Sequence, residues 1–429
     1  MQFHRGEHFI VIVHKGGLMI FNYFILTLSF ISLFTSIFYF LLYVFIDEEK
    51  KKSSYKPSVT IIIPAYNEQA RISRCLDSVV SQDYPLEAIV VDDGSTDNTA
   101  SIVNSYVKKY KNVKLIQKER EGKVPSVNKV LKGVKTDLFC VLDADTFLVG
   151  KDAVRKAVRY FSDKKVAAVL TALEVYNKEN MLTLLQAIEY YITIFVRRVS
   201  SFFNGVLSTH GATFFRTDYV RKVGYFDENN LVEDMEIALR LIDHGYKVIS
   251  VMDVKSSTYA PTKFTHLVKQ RLRWYTGNLE NIVKYRHLLF NKNSAGLGFF
   301  TIPLSLVWVG AFVYLFTRIL YKGVSSALLQ YSILRYLNFD FLFYLDQQFG
   351  PTVLGLVDVV NLISLSTFIM LLFLVYTLFF KGNLSRLVVS ALFYLLVGTL
   401  LYGALWVASI VNVFVRERRP WLTEKTDVY

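Results

Sequence analysis

Three long stretches contain no Asp, Glu, Lys or Arg at all: Gly16–Ile46, Asn293–Thr317 and Leu387–Val415, with a shorter one at Val359–Phe380. A helix needs roughly 20 mainly apolar residues to cross about 30 Å of hydrocarbon, and each stretch meets that length. The pattern predicts transmembrane helices on both sides of a polar block of the chain. The whole chain is 52% hydrophobic, richer in apolar residues than an ordinary soluble protein. Residues 323–345 are also apolar and aromatic but hold Arg335 and Asp340, and they read as an interfacial or re-entrant piece, with a further crossing left open. The first stretch is too long for a signal peptide core. It lacks a small-residue cleavage signal and runs into Asp47-Glu48-Glu49 and Lys50-Lys51-Lys52.

The formal net charge is +13. Its distribution argues against nucleic acid, because Lys and Arg are spread through the polar block and gathered at the edges of apolar stretches. Lys50–Lys52 and Arg416, Arg418 and Arg419 fit the positive-inside pattern and a face resting on anionic lipid. Cys75 and Cys140 form neither a disulfide framework nor a metal spacing. They suit a core in a reducing compartment.

The polar block alternates strands and helices. The β-branched run Val59–Ile63 and the segment Ala88–Val91 read as buried strands, and Val113–Ile116 and Asp137–Leu142 as two further strands. Tyr66–Gln82, Thr99–Tyr110 and Ser126–Val134 have helical spacing between them. This order predicts a doubly wound α/β layer with a mostly parallel sheet. Ligands in such sheets bind beyond the carboxyl ends of the strands. Further on, Asp152–Ser162, Met181–Phe203, Asp234–Gly245 and Phe264–Tyr285 read as helices, and Val166–Leu173 and Val248–Val251 as strands.

Five motifs follow these elements in order: Pro64-Ala65-Tyr66-Asn67-Glu68, Asp92-Asp93-Gly94-Ser95, Asp143-Ala144-Asp145, Glu233-Asp234 and Gln270-Arg271-Leu272-Arg273-Trp274. An Asp-x-Asp pair after a buried strand can hold a divalent cation that neutralises a diphosphate leaving group. Oxygen ligands alone point to Mg²⁺ or Mn²⁺. Asp92 or Asp93 can accept from a base N–H or a ribose hydroxyl, while Ser95, Thr96 and Asp97 suit a helix cap. Tyr66 offers a flat face to a base. Lys123 at a helix start can meet a phosphate, although an isolated Gly-Lys is also what a solvated lysine looks like. Asp234 is the candidate base, next to Glu233 in an acidic first turn that the helix dipole alone would favour. Arg273 can grip phosphate oxygens, and Trp274 offers a platform for a sugar ring. The same helix is basic and amphipathic enough to lie on lipid. His210 has no partner legible in the sequence and reads as structural.

The ordered set resembles the family-2 glycosyltransferases of GT-A fold, in the membrane-embedded branch of poly-N-acetylglucosamine, hyaluronan, chitin and cellulose synthases. The resemblance runs over roughly residues 58–280. It implies a donor pocket of Pro64, Tyr66, Glu68, Asp92, Asp93, Lys123, Asp143, Gln270 and Arg273. It implies metal ligands Asp143 and Asp145, catalytic residues Asp234 and Glu233, and acceptor contact by Trp274. The chain departs from that branch in having fewer N-terminal spans and no long insertions. The implied organisation is an N-terminal region with one span (1–52), a catalytic domain on the cytoplasmic side (53–262), an interfacial segment (263–292), a membrane region (293–415) and a basic tail (416–429).

The implied activity moves a sugar from a nucleotide-sugar donor, UDP favoured over GDP, with inversion, to a β-linked polysaccharide at the bilayer. The rival acceptor is a polyprenyl phosphate or glycolipid that takes one sugar. A transporter would need ionisable residues inside the spans, and those four stretches have none.

Overall fold

The computed structural model describes residues 55–336 and 397–418, with scattered helical positions between 27 and 43. The expected span at Val359–Phe380, the basic tail beyond residue 418 and most of Gly16–Ile46 lie outside the described residues. The chain divides into two compact units, Glu48–Val313 with Leu392–Tyr429, and Met1–Asp47 with Tyr314–Ala391.

The first unit is built on an eight-stranded sheet. In chain order the strands are β1 (Val59–Ala65), β2 (Glu87–Asp93), β3 (Val113–Lys118), β4 (Leu138–Val141), β5 (Thr146–Val149), β6 (Val166–Val175), β7 (Thr213–Arg216) and β8 (Lys247–Thr258). Their spatial order is β3-β2-β1-β4-β7-β6-β8-β5. The parallel expectation holds for β3, β2, β1 and β4. Beyond β4 the sheet is mixed: β7 runs antiparallel to β4 and β6, β8 is parallel to β6, and β5 is antiparallel to β8. The sheet is therefore mixed α/β rather than mostly parallel throughout. The two short strands β5 and β7, of four residues each, cause the difference. Neither is long enough to show a period in the sequence.

The helices in chain order are α1 (Ile72–Val80), α2 (Thr99–Lys109), α3 (Lys123–Gly133), α4 (Ala153–Arg159), α5 (Met181–Phe202), α6 (Thr217–Lys222), α7 (Glu233–Asp243) and α8 (Phe264–Lys284). Successive residues of β1 feed opposite faces, as strand geometry requires. Ile61 and Ile63 pack with Ile72, Leu76 and Phe161, whereas Ile62 packs with Leu131, Phe139 and Phe215. Each such side chain, fully buried, contributes about 1.5–3 kcal/mol. Cys75 and Cys140 are buried, free core residues.

Helix α1 starts six residues later than the spacing of Tyr66–Gln82 predicts. The reason is Asn67, which takes a left-handed φ of 54° and ends any helical path from Tyr66. Its side chain instead accepts from Thr96 N at 2.9 Å, and its N–H donates to Ser95 Oγ at 3.0 Å. The loops after β1 and β2 are thereby tied together. Helix α5 opens on a reciprocal cap: Thr183 N donates to Asn180 Oδ1 at 2.9 Å, and Asn180 N to Thr183 Oγ1 at 3.3 Å.

Among the described residues one helical stretch, Gly296–Tyr336, is long and apolar enough to cross a membrane, and Leu400–Val415 is a shorter apolar helix. The α-helical part of the first is α9 (Ile302–Tyr336); the second lies in α10 (Thr399–Arg418). The separate interfacial piece expected at 323–345 does not begin at 323, because α9 continues through it to Tyr336. No proline interrupts residues 304–336, and Gly310 and Gly323 each cost only about 1 kcal/mol in a helix.

Candidate active site

The carboxyl ends of β1, β2 and β4 open onto a cavity of about 380 Å³, closed on its other side by α5, α7 and α8. Pro64, Tyr66, Glu68, Asp93, Lys123, Asp143, Asp145, Glu233, Asp234, Gln270, Arg273 and Trp274 all line it. Residues more than 200 positions apart thus share one space. Asp92 does not line it. It is buried, and its Oδ1 accepts from Ser95 N at 3.1 Å, which shapes the loop instead.

At one end Asp93 holds the loop after β3. Its carboxylate accepts from Glu121 N at 3.0 Å, Gly122 N at 2.8 Å and Ser126 Oγ at 2.9 Å, and pairs with Lys118 at 2.9 Å. Burial raises its pKa, but these donors outweigh it and hold Asp93 below the usual carboxylate range. The same loop carries Arg120, whose guanidinium lies 3.9 Å from the Tyr66 ring centre and donates to the Tyr66 hydroxyl at 2.8 Å. Gly122 then turns the chain with φ 103°, and α3 begins at Lys123.

The centre of the cavity is acidic. Lys123 Nζ reaches Asp143 Oδ1 at 2.7 Å and Glu233 Oε1 at 3.3 Å. Asp145 is held by Thr146 Oγ1 at 3.1 Å. Burial, then the neighbouring Asp143 charge, pushes Asp145 up to about 6. Burial and Asp145 push Glu68 up to about 7. Crowded carboxylates with raised proton affinity are what a hard dication relieves, and the donor set is all oxygen. No cluster of three or more His, Cys, Asp or Glu ligands occurs among the described residues. The oxygen atoms of Asp143 and Asp145 are of a kind that fits a hard divalent cation. Gly211 passes so close to Asp143 that a Cβ there would collide with its carboxylate.

Asp234 sits in the first turn of α7, with Glu233 and Glu236. Its Oδ1 accepts from Met235 N at 2.7 Å. Burial and Glu233 push it up to about 6, against the opposing charges of Lys123, Arg197 and Arg273. A carboxylate poised there can accept a proton near neutrality.

The last motif lies on α8. Arg273 donates to Leu231 O at 3.0 Å and so touches the segment leading into Glu233-Asp234. Gln270, Arg273 and Trp274 face the cavity, whereas Arg271 is completely buried behind them.

Residues 57–277, just over half of the chain, match the family described as "Glycosyltransferase like family 2". The chain belongs to glycosyltransferase family 2. A Staphylococcus epidermidis protein named poly-beta-1,6-N-acetyl-D-glucosamine synthase is 27% identical over 343 residues, 76% of this chain and 81% of the relative. A Staphylococcus aureus protein of the same name is 30% identical over 230 residues, 53% of this chain and 56% of the relative. The solved structure of the mannosyltransferase PcManGT from Pyrobaculum calidifontis, in complex with GDP-Man and Mn²⁺, superimposes with a TM-score of 0.56 at 19% identity. That match covers 93% of this chain and 99% of the other. At that identity the likeness speaks to fold alone.

Several cavity residues of this family-2 glycosyltransferase carry no motif in the sequence. Arg120 lies between motifs. Glu189 and Arg197 sit within α5, a helix made mostly of apolar and aromatic residues. Arg197 donates to Ser208 Oγ at 2.9 Å and Thr209 O at 3.3 Å, beside Asp234. Charged residues in such a helix are the available signal, since they need partners. His210 has partners after all: its ring nitrogens lie 2.9 Å from Thr171 O and from Gly211 O. Burial and Arg197 push it to about 3, so its ring is neutral, carries a single N–H and donates to one of these two carbonyls, the tautomer deciding which.

Proposed function

We propose that the chain transfers an N-acetylhexosamine, with inversion, from a UDP-sugar to a growing β-linked polysaccharide at a membrane surface. The observation that carries this reading is the pairing, in one cavity, of an acidic and basic diphosphate cradle with a buried carboxylate poised near neutrality. The relatives named as poly-beta-1,6-N-acetyl-D-glucosamine synthases support the sugar and the polymer. The long apolar helix supports the membrane.

In this reading the nucleoside lies against Tyr66 and Arg120, near Asp93. Lys123 and Arg273 stabilise the charge that develops on the departing diphosphate. A divalent cation held by Asp143 and Asp145 would supply further neutralisation of that diphosphate. The terminal sugar of the acceptor stacks on Trp274 and presents its hydroxyl to the anomeric carbon. Asp234 takes the hydroxyl proton as the new C–O bond forms and the C–O bond to phosphate breaks. Glu233 stays paired with Lys123 and keeps Asp234 basic by repulsion.

The purified full chain, given a panel of UDP- and GDP-sugars with Mg²⁺ or Mn²⁺, is expected to release UDP fastest from UDP-N-acetylglucosamine and to yield a radiolabelled polymer. A product of one sugar on a lipid would overturn the polysaccharide and keep the transferase. Equal release from GDP-sugars would overturn the donor assignment.

A further inference from the structure

Arg271 shapes the acceptor platform from behind. It is 0% exposed, and its guanidinium makes a forked contact with Glu189 of α5: Nε donates to Oε1 at 3.0 Å and Nη2 to Oε2 at 2.7 Å. Its Nη1 donates to Gln270 Oε1 at 2.6 Å, and its Cζ lies 4.2 Å from the Trp274 ring centre. Glu189 is in turn held from α10, where the Tyr402 hydroxyl donates to Oε2 at 2.9 Å. A relay thus runs from Tyr402 through Glu189 and Arg271 to the two side chains that face the cavity.

The energetics ask for a reason beyond adhesion. Taking an arginine and a carboxylate out of water costs several kcal/mol per ion, and apolar residues of similar volume often stabilise as well or better. Burial alone would lower the affinity of Arg271 for its proton, yet Glu189 more than offsets this and keeps it charged. What a forked arginine–carboxylate pair supplies that apolar packing does not is a fixed plane and direction. The plane fixed here is the one against which the Trp274 ring rests.

We propose that Glu189 and Tyr402 are positioning residues for the acceptor: they orient Arg271, which sets the plane of the Trp274 ring. This rests on the reading that Trp274 receives the acceptor sugar. It makes the C-terminal helix α10 a determinant of how productively each activated sugar is used.

The test is partition in the purified full chain with UDP-N-acetylglucosamine. Sugar incorporated into any acceptor product is divided by nucleoside diphosphate released, beside donor KM. Glu189→Gln is expected to lower that ratio about tenfold and Tyr402→Phe about threefold, with donor KM moving less than about twofold. Glu189→Asp should recover part of the loss. In a Trp274→Ala background neither substitution should lower the ratio further, because both act through that ring. Losses that add to those of Trp274→Ala, or a donor KM that rises in step, would overturn the relay. If Glu189→Gln fails to fold, Tyr402→Phe removes a single hydroxyl and carries the same cycle. The ratio is defined for a polymer or for a single-sugar lipid, so failure of the polysaccharide reading is seen separately in product size.

Discussion

Lys123 Nζ lies 2.7 Å from Asp143 Oδ1, at the start of α3 and the end of β4. The same ammonium reaches Glu233, so one cation joins the proposed diphosphate cradle to the segment that carries the proposed base. Lys123→Ala leaves two carboxylates facing each other and removes a charged donor. Hydrogen bonds to charged groups contribute about 1.5–3 kcal/mol, so donor KM is expected to rise at least about tenfold. Titration of UDP-sugar against turnover, with binding by calorimetry, checks this. An unchanged KM would remove Lys123 from the donor site.

Turnover is expected to depend on the proton carried by Asp234. Burial and Glu233 hold that carboxylate at about 6, so below this pH it already carries a proton and cannot take another from the acceptor hydroxyl. Rate should rise with pH through about 6 and then level. Asp234→Asn should cut turnover by at least about 10²-fold while donor binding persists. A pH–rate profile of the wild type and a binding isotherm for the variant are the measurements. Normal turnover in Asp234→Asn would exclude it as the base.

Metal removal gives a third outcome. Asp145→Ala, or a chelator in excess over divalent cation, is expected to abolish transfer, with activity returning on addition of Mg²⁺ or Mn²⁺ only in the wild type. Full activity in the chelator would refute the assignment of Asp143 and Asp145.

Gly277 offers a test of packing. A Cβ at this position in α8 would collide with Val232 Cγ2 and lie 3.1 Å from Leu231 Cβ. Gly277→Ala is therefore expected to destabilise by about 1–3 kcal/mol through overpacking, exceeding the gain of up to about 1 kcal/mol from helix propensity. It should also lower turnover, because Leu231 and Val232 lead directly into Glu233-Asp234. Chemical denaturation and turnover of the variant check both effects. A variant at least as stable and as active as the wild type would contradict the close approach.

The strand-end rule made much of this site legible before any fold was known. Tyr66, Asp93 and Asp143 follow or end apolar strand segments, and carboxyl ends of parallel strands converge. Which of Asp92 and Asp93 faces the cavity was not legible: neighbours on a strand point to opposite faces, and a one-residue choice decides. Arg271 and Arg273 pose the same problem on a helix. They are two residues apart, hence on different faces; the motif points to Arg273, but the partner that buries Arg271, Glu189, lies more than 80 residues away in sequence. Strands β5 and β7 escaped because four residues carry too little period, and their antiparallel pairing is what makes the sheet mixed.

The segment before α7 and the helix α8 are joined at several points. Asn230 Nδ2 donates to Asn281 Oδ1 at 2.7 Å, Asn281 Nδ2 donates to Asn230 Oδ1 at 3.2 Å, and Glu236, itself buried, accepts from the Tyr285 hydroxyl at 2.6 Å and from Lys284 at 3.1 Å. With Arg273 on Leu231 O and Gly277 against Val232, this seam leaves no slack. Asp234 and Trp274 are thus mounted on a single block, like jaw and anvil cut from one casting. If the proposed polymer is made, a seam of this kind carries Asp234 and Trp274 together, and the motion that advances the product is expected in other walls of the cavity.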